Sequence, residues 1–256
     1  MKLATWNVNS INVRMPQLLP WLAAAQPDVL CVQETKTIDD GFPSLELKAA
    51  GYDVVFTGEK AYNGVAILSK LPIKDVQLNL PDDKPDAPKR MIAATVDGVR
   101  IVNTYVPNGT ELWSDKFKFK LDWLQRLRRY FDETCDAKEN VLLCGDFNVA
   151  MEAVDTWNAA GYEGKLHFSR PERSAMHYVK QFGLVDCYRK INGDVQEFSW
   201  WDYRAGSWQK NYGLRIDHIW TSAKLADKCK SCVIDKSPRE LTLPSDHAPV
   251  IAEFKI

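Results

Sequence analysis

The chain has 256 residues, of which 45% are hydrophobic, so it is long enough to bury a substantial core. Its formal net charge of -1 excludes the overall basic surface of many nucleic-acid-binding proteins, so a polyanion would need a local patch or cations bound to a carboxylate cluster. No apolar run has the length of a membrane span and the N-terminus lacks the apolar region of a signal peptide, which predicts a cytoplasmic protein without membrane contact.

Short strand patterns dominate the chain. Each is an apolar run bounded by Gly, Pro, Asn or Asp. In chain order, the predicted strands are 2–5, 29–32, 52–57, 64–68, 91–96, 99–104, 141–143, 215–220, 229–234 and 249–254. Between two of them, Asp97 and Gly98 are typical of a type I′ hairpin turn.

Apolar residues at helical spacing predict three helices, at 13–25, 115–134 and 171–182. The first contains Pro16, which a helix tolerates only in its first turn. The third has Ser169 as its N-cap and Pro171 near its start. Strands outnumber helices and no linker divides the chain. We therefore predict an α/β fold of two packed sheets with helices outside, in a single domain covering residues 1–256.

Most of the six cysteines lie inside apolar runs, which is typical of reduced, buried thiols in a cytosolic protein. Cys229 and Cys232 form a CxxC pair, but no second pair or nearby histidine completes a zinc site. We interpret them as neighbours in a late strand.

Three predicted strands end in polar side chains. The first ends in Asn7 and Asn9, the second in Glu34, and the strand at 141–143 is followed by Asp146 and Asn148. Residues two apart in an extended chain face the same side, so each strand delivers polar groups to one point beyond its apolar run. A single such residue is usually a turn residue or a helix cap. Three similar endings indicate a shared site.

Two more acidic positions occur near the C-terminus. Asp217 stands inside a strand-like run, where a carboxylate is costly unless it is paired or bound to a cation. Asp246 and His247 stand just before the last strand, and Asp217 is available to orient the imidazole of His247.

Carboxylates and amides without a Cys or His cluster suit a hard cation, Mg²⁺ first and Mn²⁺ as the alternative. A hard cation, a carboxylate base and a histidine suit the attack of water on a phosphodiester, because the cation and the histidine offset the developing charge while the carboxylate takes the proton of the water.

The sequence also resembles the exonuclease III family, the DNA-repair members of the endonuclease/exonuclease/phosphatase superfamily. The motifs TWNVNS, VQET, YVPNG, CGDFNVA, FSWWDYR, GLRID and PSDHAPV occur in the order and approximate spacing of that family, from about residue 2 to residue 254. The resemblance implies a four-layered α/β sandwich with the active site at one end of two facing sheets.

The resemblance also implies roles for the metal and the base. Asn7 and Glu34 would hold the divalent metal, and Asp246 would either bind it through water or support the residues around it. Asp146 would orient and deprotonate the attacking water, with Asn148 beside it. We therefore expect Asp146→Asn to fold and to be nearly inactive.

Further roles concern the phosphate. His247, with its ring fixed by Asp217, would donate a hydrogen bond to a phosphate oxygen. Tyr105 would contact the phosphate or the leaving group, and Asn108 a phosphate oxygen.

DNA contacts are expected in the segment 200–215, which is rich in Trp, Tyr and Arg, because aromatic and Arg side chains stack on exposed bases and sugars. The resemblance implies that Trp200, Leu214 and Ile216 line a pocket for an extruded abasic sugar. The full set predicted to contact DNA is Asn9, Asn108, His167, Phe168, Trp200, Arg204, Leu214 and Ile216.

His167 departs from the family pattern, in which Gly or Ser is expected before Phe168. One interpretation is a surface histidine in a loop. Our hypothesis is that its imidazole obstructs an intact duplex or a flipped abasic nucleotide, whereas processing of 3′ ends would continue.

The favoured function is therefore a monomeric repair phosphodiesterase acting on duplex DNA with 3′ ends, nicks, gaps or abasic sites, with 3′-exonuclease and 3′-phosphatase activities ahead of abasic incision. A full abasic endonuclease is one alternative. A phospholipid or inositol-phosphate phosphoesterase is a second, and the absence of a membrane-binding stretch argues against it. A non-catalytic nucleic-acid-binding domain would have lost the equivalents of Asp146, Asp217 or His247, all of which are present.

Overall fold

The computed structural model describes all residues from Met1 to Ile256. Its strands are β1 (Lys2–Asn7), β2 (Val29–Gln33), β3 (Asp53–Thr57), β4 (Val65–Ser69), β5 (Ile73–Leu78), β6 (Met91–Val96), β7 (Val99–Tyr105), β8 (Val141–Asp146), β9 (Leu184–Asp186), β10 (Asp217–Ser222), β11 (Cys229–Ile234) and β12 (Val250–Phe254). Its α-helices are α1 (Ile11–Ala25), α2 (Ser44–Ala49), α3 (Asp115–Thr134), α4 (Ala159–Tyr162), α5 (Arg170–Lys180), α6 (Cys187–Asn192) and α7 (Ala223–Ala226). Short 3₁₀ helices occupy Asp39–Gly41, Ala153–Asp155 and Ser237–Glu240.

The strands form two six-stranded sheets. The first has the order β11-β12-β1-β2-β4-β3 and the second the order β5-β6-β7-β8-β10-β9. Each sheet contains one parallel pair, β1 with β2 and β7 with β8, and its other neighbours are antiparallel. The two sheets therefore repeat one plan, with a parallel pair at the centre of each.

Three apolar cores separate four layers. Leu3, Val29 and Cys31 of the first sheet meet Ile101, Leu142, Cys144 and Ile219 of the second in the central core. The outer face of the second sheet packs on α3 and α5, with Trp123 and Met176 in that core. The outer face of the first sheet packs on α1 and α2, with Leu18 and Leu47. The predicted four-layered α/β sandwich with mixed sheets is confirmed.

Most predicted elements agree with the structure to within one to three residues. The hairpin turn is also confirmed, since Asp97 and Gly98 have φ of 49° and 71°. Strands β5 and β9 and the four short helices were not predicted. Strand β9 and the four helices are short, and β5 is largely exposed, so none of these six elements has a long apolar pattern.

The expectation for Pro16 is wrong. Helix α1 begins at Ile11, so Pro16 and Pro20 both lie in its interior. Both prolines are exposed and four residues apart, so they share the solvent face, where water can satisfy the carbonyls that lose a backbone donor. Buried Ile11, Leu18 and Leu22 hold the helix on the sheet. None of the helices in the molecule is both long and apolar enough to cross a membrane.

Candidate active site

Strand periodicity places four of the predicted site residues between the sheets. Leu142 and Cys144 of β8 belong to the central core, and Asp146 continues the same face two residues later. Asn7 continues the face of Leu3 in β1, Tyr105 that of Ile101 in β7, and Asp217 that of Ile219 in β10. The apolar core therefore ends in a polar cluster at one end of the sandwich.

Asp146 is at the centre of this cluster. It pairs with Tyr105 on one neighbouring strand and with Asp217 on the other. The preceding Gly145 has φ +133°, and a Cβ atom built there would lie 1.9 Å from the carbonyl oxygen of Thr104. Only glycine permits this close approach of β7 and β8. The glycine beside Asp146 thus lets Tyr105 and Asp146 lie side by side.

The carboxylate of Asp146 is buried and oriented by amides. Its Oδ1 accepts a hydrogen bond from the backbone N–H of Asn148 at 2.8 Å, and its Oδ2 accepts from Nδ2 of Asn7 at 2.9 Å. Burial raises the pKa of Asp146 to about 7; the charge of His247 opposes this shift and that of Asp217 adds to it. A carboxyl group with a pKa near neutrality is well matched to general-base chemistry.

Glu34, Asp146 and His247 form the one cluster of three potential metal ligands in the structure, with ligand atoms within 4.8 Å of one another. The Asn7 amide nitrogen lies between the two carboxylates, 2.8 Å from Oε1 of Glu34 and 2.9 Å from Oδ2 of Asp146, so a cation would satisfy the same oxygens. Oxygen donors of this kind fit a hard divalent cation. Lys36, which was not predicted, contacts Oε2 of Glu34 at 2.8 Å.

His247 is held by Asp217. Its Nδ1 lies 2.8 Å from Oδ2 of Asp217, and its Nε2 lies 3.7 Å from Oδ2 of Asp146. Burial alone would lower the pKa of His247, but the charges of Asp217 and then Asp146 outweigh it and raise the pKa to about 10. The imidazolium is therefore the form that faces Asp146 at neutral pH.

Ser199 completes this arrangement and was not predicted. Its hydroxyl donates to Oδ2 of Asp217 at 2.7 Å and accepts the backbone N–H groups of Ile216 and Asp217. A serine among aromatic residues carries no distinguishing pattern in a single sequence, so only the fold shows its role in fixing Asp217.

Tyr105 stays protonated in this environment. Burial, followed by the charges of Glu34 and Asp146, raises the pKa of Tyr105 well above its ordinary value. Asn108 and Asn148 are also together, because Nδ2 of Asn108 donates to Oδ1 of Asn148 at 3.1 Å. The Tyr105 hydroxyl and the second amide proton of Asn108 can therefore be donated to an oxyanion bound beside Asp146.

Asp246 stands apart from the acidic cluster. Its Oδ1 accepts from Nδ2 of Asn9 and its Oδ2 from Nε1 of Trp200, both at 2.9 Å. Asp246 therefore connects the first strand-end loop to the indole of Trp200.

A buried apolar cluster lies beside the site. Phe168, Leu214 and Ile216 pack together with Ala150, and Trp200 packs against them. The ring centroid of Trp200 is 6.5 Å from that of His247, so the apolar cluster adjoins the site. Arg204 is not part of it, since it lies in an exposed loop after the second tryptophan of the segment.

His167 lies next to this apolar cluster. Its ring centroid is 6.0 Å from that of Trp200, and its Nδ1 lies 2.8 Å from the carbonyl oxygen of Asn148. Burial and the charge of Lys120 lower the pKa of His167 to about 4, so the ring is neutral at physiological pH. The structure therefore places an uncharged imidazole where the resemblance to the family leads us to expect Gly or Ser.

The backbone at the site is unusual. Asn9, Glu34, Asn148 and His167 all have left-handed conformations, with φ of 46°, 52°, 51° and 70°. Such values are uncommon for residues other than glycine and concentrate at functional sites.

Comparisons with known proteins agree with this geometry. Residues 4–247 match the model of the Endonuclease/Exonuclease/phosphatase family. The chain is 35% identical to exodeoxyribonuclease III of Haemophilus influenzae over all of both chains. It is 42% identical to the 3′-5′ exonuclease NExo of Neisseria meningitidis, and NExo is also described as a 3′ phosphatase. An AP endonuclease of Archaeoglobus fulgidus is 38% identical. Both of these solved structures superpose with a TM-score of 0.96 and cover all of both chains.

Proposed function

The chain belongs to the endonuclease/exonuclease/phosphatase family and is an exonuclease III-type DNA-repair nuclease, and from this premise we propose that its main activity is the processing of DNA 3′ ends, as 3′-to-5′ exonuclease and 3′-phosphatase. One observation carries the proposal: the imidazole of His167 lies beside the ring of Trp200 and the carbonyl oxygen of Asn148, where it would narrow the approach to the hydrolytic groups. A 3′ end can enter such a site without passing an intact strand through it.

We assign the chemistry to side chains of the cluster. Asp146 accepts the proton of the attacking water, since its amide partners fix its orientation and its pKa of about 7 lets it act near neutral pH. The His247 imidazolium donates a hydrogen bond to a phosphate oxygen and offsets the charge that develops there. Protonated Tyr105 donates to the phosphate or the leaving oxygen.

A divalent cation, Mg²⁺ rather than Mn²⁺, would be held by Glu34 and by Asn7 with its amide turned to present Oδ1, and would supply positive charge to the phosphate. Asp246 would act through Trp200 and Asn9, whose positions it fixes. Asn108 contacts a phosphate oxygen, and Asn148 supports Asp146. Asn9, Trp200 and Arg204 contact the DNA, and Phe168, Leu214 and Ile216 support them from the buried apolar cluster.

The proposed substrate is duplex DNA with 3′ ends, nicks, gaps or abasic sites. The protein works as a monomer and as a single domain in the cytoplasm, close to the nucleoid if it is bacterial. With a net charge of -1, it depends on local contacts and on the cation to hold the DNA.

Recessed-end duplex DNA with a 3′-phosphate tests the reaction. We expect Mg²⁺-dependent release of phosphate and then of nucleotides, abolished by EDTA, and a loss of at least about 10²–10⁴-fold in Asp146→Asn because that variant removes the general base. A folded Asp146→Asn protein with wild-type rates would refute the assignment. Hydrolysis of a phospholipid or an inositol phosphate in place of DNA would favour the other branch of the family.

A full abasic endonuclease is the second candidate, supported by the similarity to the AP endonuclease. Comparison of the wild type with His167→Gly separates the two. If the imidazole obstructs a flipped abasic nucleotide, His167→Gly should raise incision of an abasic duplex at least tenfold and change 3′-phosphate release by less than threefold. Efficient abasic incision by the wild type, unaltered by the substitution, would contradict the obstruction.

A further inference from the structure

Behind the active site, Lys120 of α3 and Glu172 of α5 form an ion pair with no solvent exposure on either side chain. The ammonium of Lys120 makes three hydrogen bonds. They run to Oε1 of Glu172 at 2.5 Å, to the carbonyl oxygen of Asn148 at 2.9 Å and to that of Asn108 at 3.2 Å. An ammonium has three protons, so all its donors are used.

Glu172 is equally saturated. Its Oε1 also accepts the backbone N–H of His167 at 3.1 Å, and its Oε2 accepts the backbone N–H and the hydroxyl of Ser169. The pair therefore joins three chain segments that carry Asn108, Asn148 and His167. The two side chains bond each other, and Glu172 also bonds Ser169 at the cap of α5. Every other hydrogen bond of the two side chains goes to the backbone of Asn108, Asn148 or His167.

The same network fixes the ring of His167. The carbonyl oxygen of Asn148 accepts from Lys120 and also lies 2.8 Å from Nδ1 of His167. A carbonyl can only accept, so Nδ1 carries the proton, and in the neutral ring Nε2 then keeps its lone pair. The peptide carbonyl has two lone pairs, and both are used.

We propose that Lys120 and Glu172 are positioning residues, which act as a unit to set Asn108 and Asn148 around the scissile phosphate and to hold the neighbouring His167 ring in its Nδ1–H form. A purely structural role explains the observations less well. A buried ion pair is weak evidence for stability, because the loss of solvation offsets much of the attraction between the charges. This pair directs its bonds to the segments that bear the site.

The inference rests on the proposed function, because its effect is read on the release of a 3′-phosphate. The double variant Lys120→Met/Glu172→Gln removes both charges together and leaves neither one buried alone. Arg126→Met is the matched control: Arg126 lies on the same helix and bonds Asp82 and Asp83 in a loop outside the site.

We expect the double variant to lose 10- to 100-fold in kcat, the order expected for misplaced catalytic groups, with KM for DNA and Tm changed little. Arg126→Met should stay within twofold of the wild type in both kinetic constants. A double variant with kcat within twofold of the wild type would overturn the proposal. A fall in kcat that is fully explained by the fraction of unfolded double variant would also overturn the proposal.

A second measurement needs no activity. The ring ¹⁵N shifts of the four histidines at pH 7 should show His167 of the wild type as the neutral Nδ1–H tautomer. In the folded double variant, the tautomers should become mixed. An Nε2–H or charged His167 in the wild type, or an unchanged tautomer in the variant, would overturn the proposal. If the wild type releases no 3′-phosphate, the proposed function fails, and these spectra alone decide the positioning role.

Discussion

His247 illustrates how single residues acquire their chemistry from neighbours on other strands. Its ring is buried, which by itself disfavours the charged form, yet Asp217 on one side and Asp146 on the other keep it protonated. Ser199 in turn fixes Asp217. In the proposed mechanism, the charge of His247 that faces the phosphate thus depends on a carboxylate, Asp217, that does not itself touch the substrate.

Replacing Asp217 by Asn tests this dependence. The variant should lose about 10²–10⁴-fold in kcat, because the imidazole loses the partner that orients it and stabilises its charge. Since Asp217 raises the pKa of His247, its removal should also move the alkaline limb of the kcat profile to lower pH. Asp122→Asn, at an exposed carboxylate on α3, is the control and should keep the wild-type profile. An unmoved alkaline limb in Asp217→Asn would assign that limb to another group.

At the scale of elements, a second buried charge cluster attaches the segment 214–216 to its surroundings. Arg215, just before β10, donates to Asp155 in the 3₁₀ helix Ala153–Asp155 at 2.7 Å and to Asp186 at the end of β9 at 2.8 Å. Leu214 and Ile216 flank it and belong to the apolar cluster beside the site. Three elements are therefore held in register by one guanidinium.

Arg215→Met should destabilise the protein by about 3–5 kcal/mol, because it leaves buried carboxylates unpaired. Burial alone would raise the pKa of Asp155 and Asp186, but Arg215 outweighs it and both are lowered. A carboxyl group with a lowered pKa contributes stability above its unfolded value, about 3.9, and this contribution is lost as the pH falls below it.

Denaturant unfolding between pH 7 and pH 3 measures both effects. The wild type should lose stability mainly below about pH 4, and the gap between the two proteins should narrow as the pH falls, because Asp155 and Asp186 become protonated in the unfolded chain and, without Arg215, in the folded variant. Arg129→Met, whose ion pair with Asp82 is about half exposed on both sides, should cost only about 0–1 kcal/mol. A gap that is constant with pH would show that lost packing, and not lost charge pairing, causes the destabilisation.

At the scale of the whole molecule, the active site lies on the seam between the sheets. Asn7 and Glu34 come from the first sheet, and Tyr105, Asp146 and Asp217 from the second. A cation held at Glu34 and Asn7 of the first sheet would lie beside Asp146 of the second and would relieve the repulsion between the carboxylates of Glu34 and Asp146.

Mg²⁺ should accordingly raise Tm, and at a hundred times Kd the stabilisation would be about 2.7 kcal/mol. Glu34→Gln should abolish most of this shift, since it removes the carboxylate of the first sheet. Glu163→Gln removes an exposed carboxylate elsewhere and should keep the shift. Equal Mg²⁺ effects on the two variants would mean that the cation acts on the protein surface in general.

The strands, the long helices and the residues of the acidic cluster could be predicted because apolar period and strand-end polarity are local patterns. Asp146, for example, lies two residues after Cys144 and four after Leu142, so it continues the buried face of its strand. Ser199, Lys120 and Glu172 could not be predicted, because their roles arise from contacts between segments 18 to 52 residues apart. A serine in a loop, a lysine on a helix and a glutamate in the first turn of a helix have the same local sequence pattern whether or not their side chains contact the site.

Four residues at the site have a left-handed backbone that lowers the stability of the fold: Asn9, Glu34, Asn148 and His167. Each such residue costs about 1–2 kcal/mol, and the four together take a noticeable share of the 5–15 kcal/mol that keeps a typical domain folded. Glycine would relieve the cost at every one of these positions. A library selected only for heat resistance should therefore enrich glycine there and discard Glu34 and Asn148, on which the proposed hydrolysis depends. Any thermostable version of this enzyme that remains active must find its extra stability elsewhere in the sandwich.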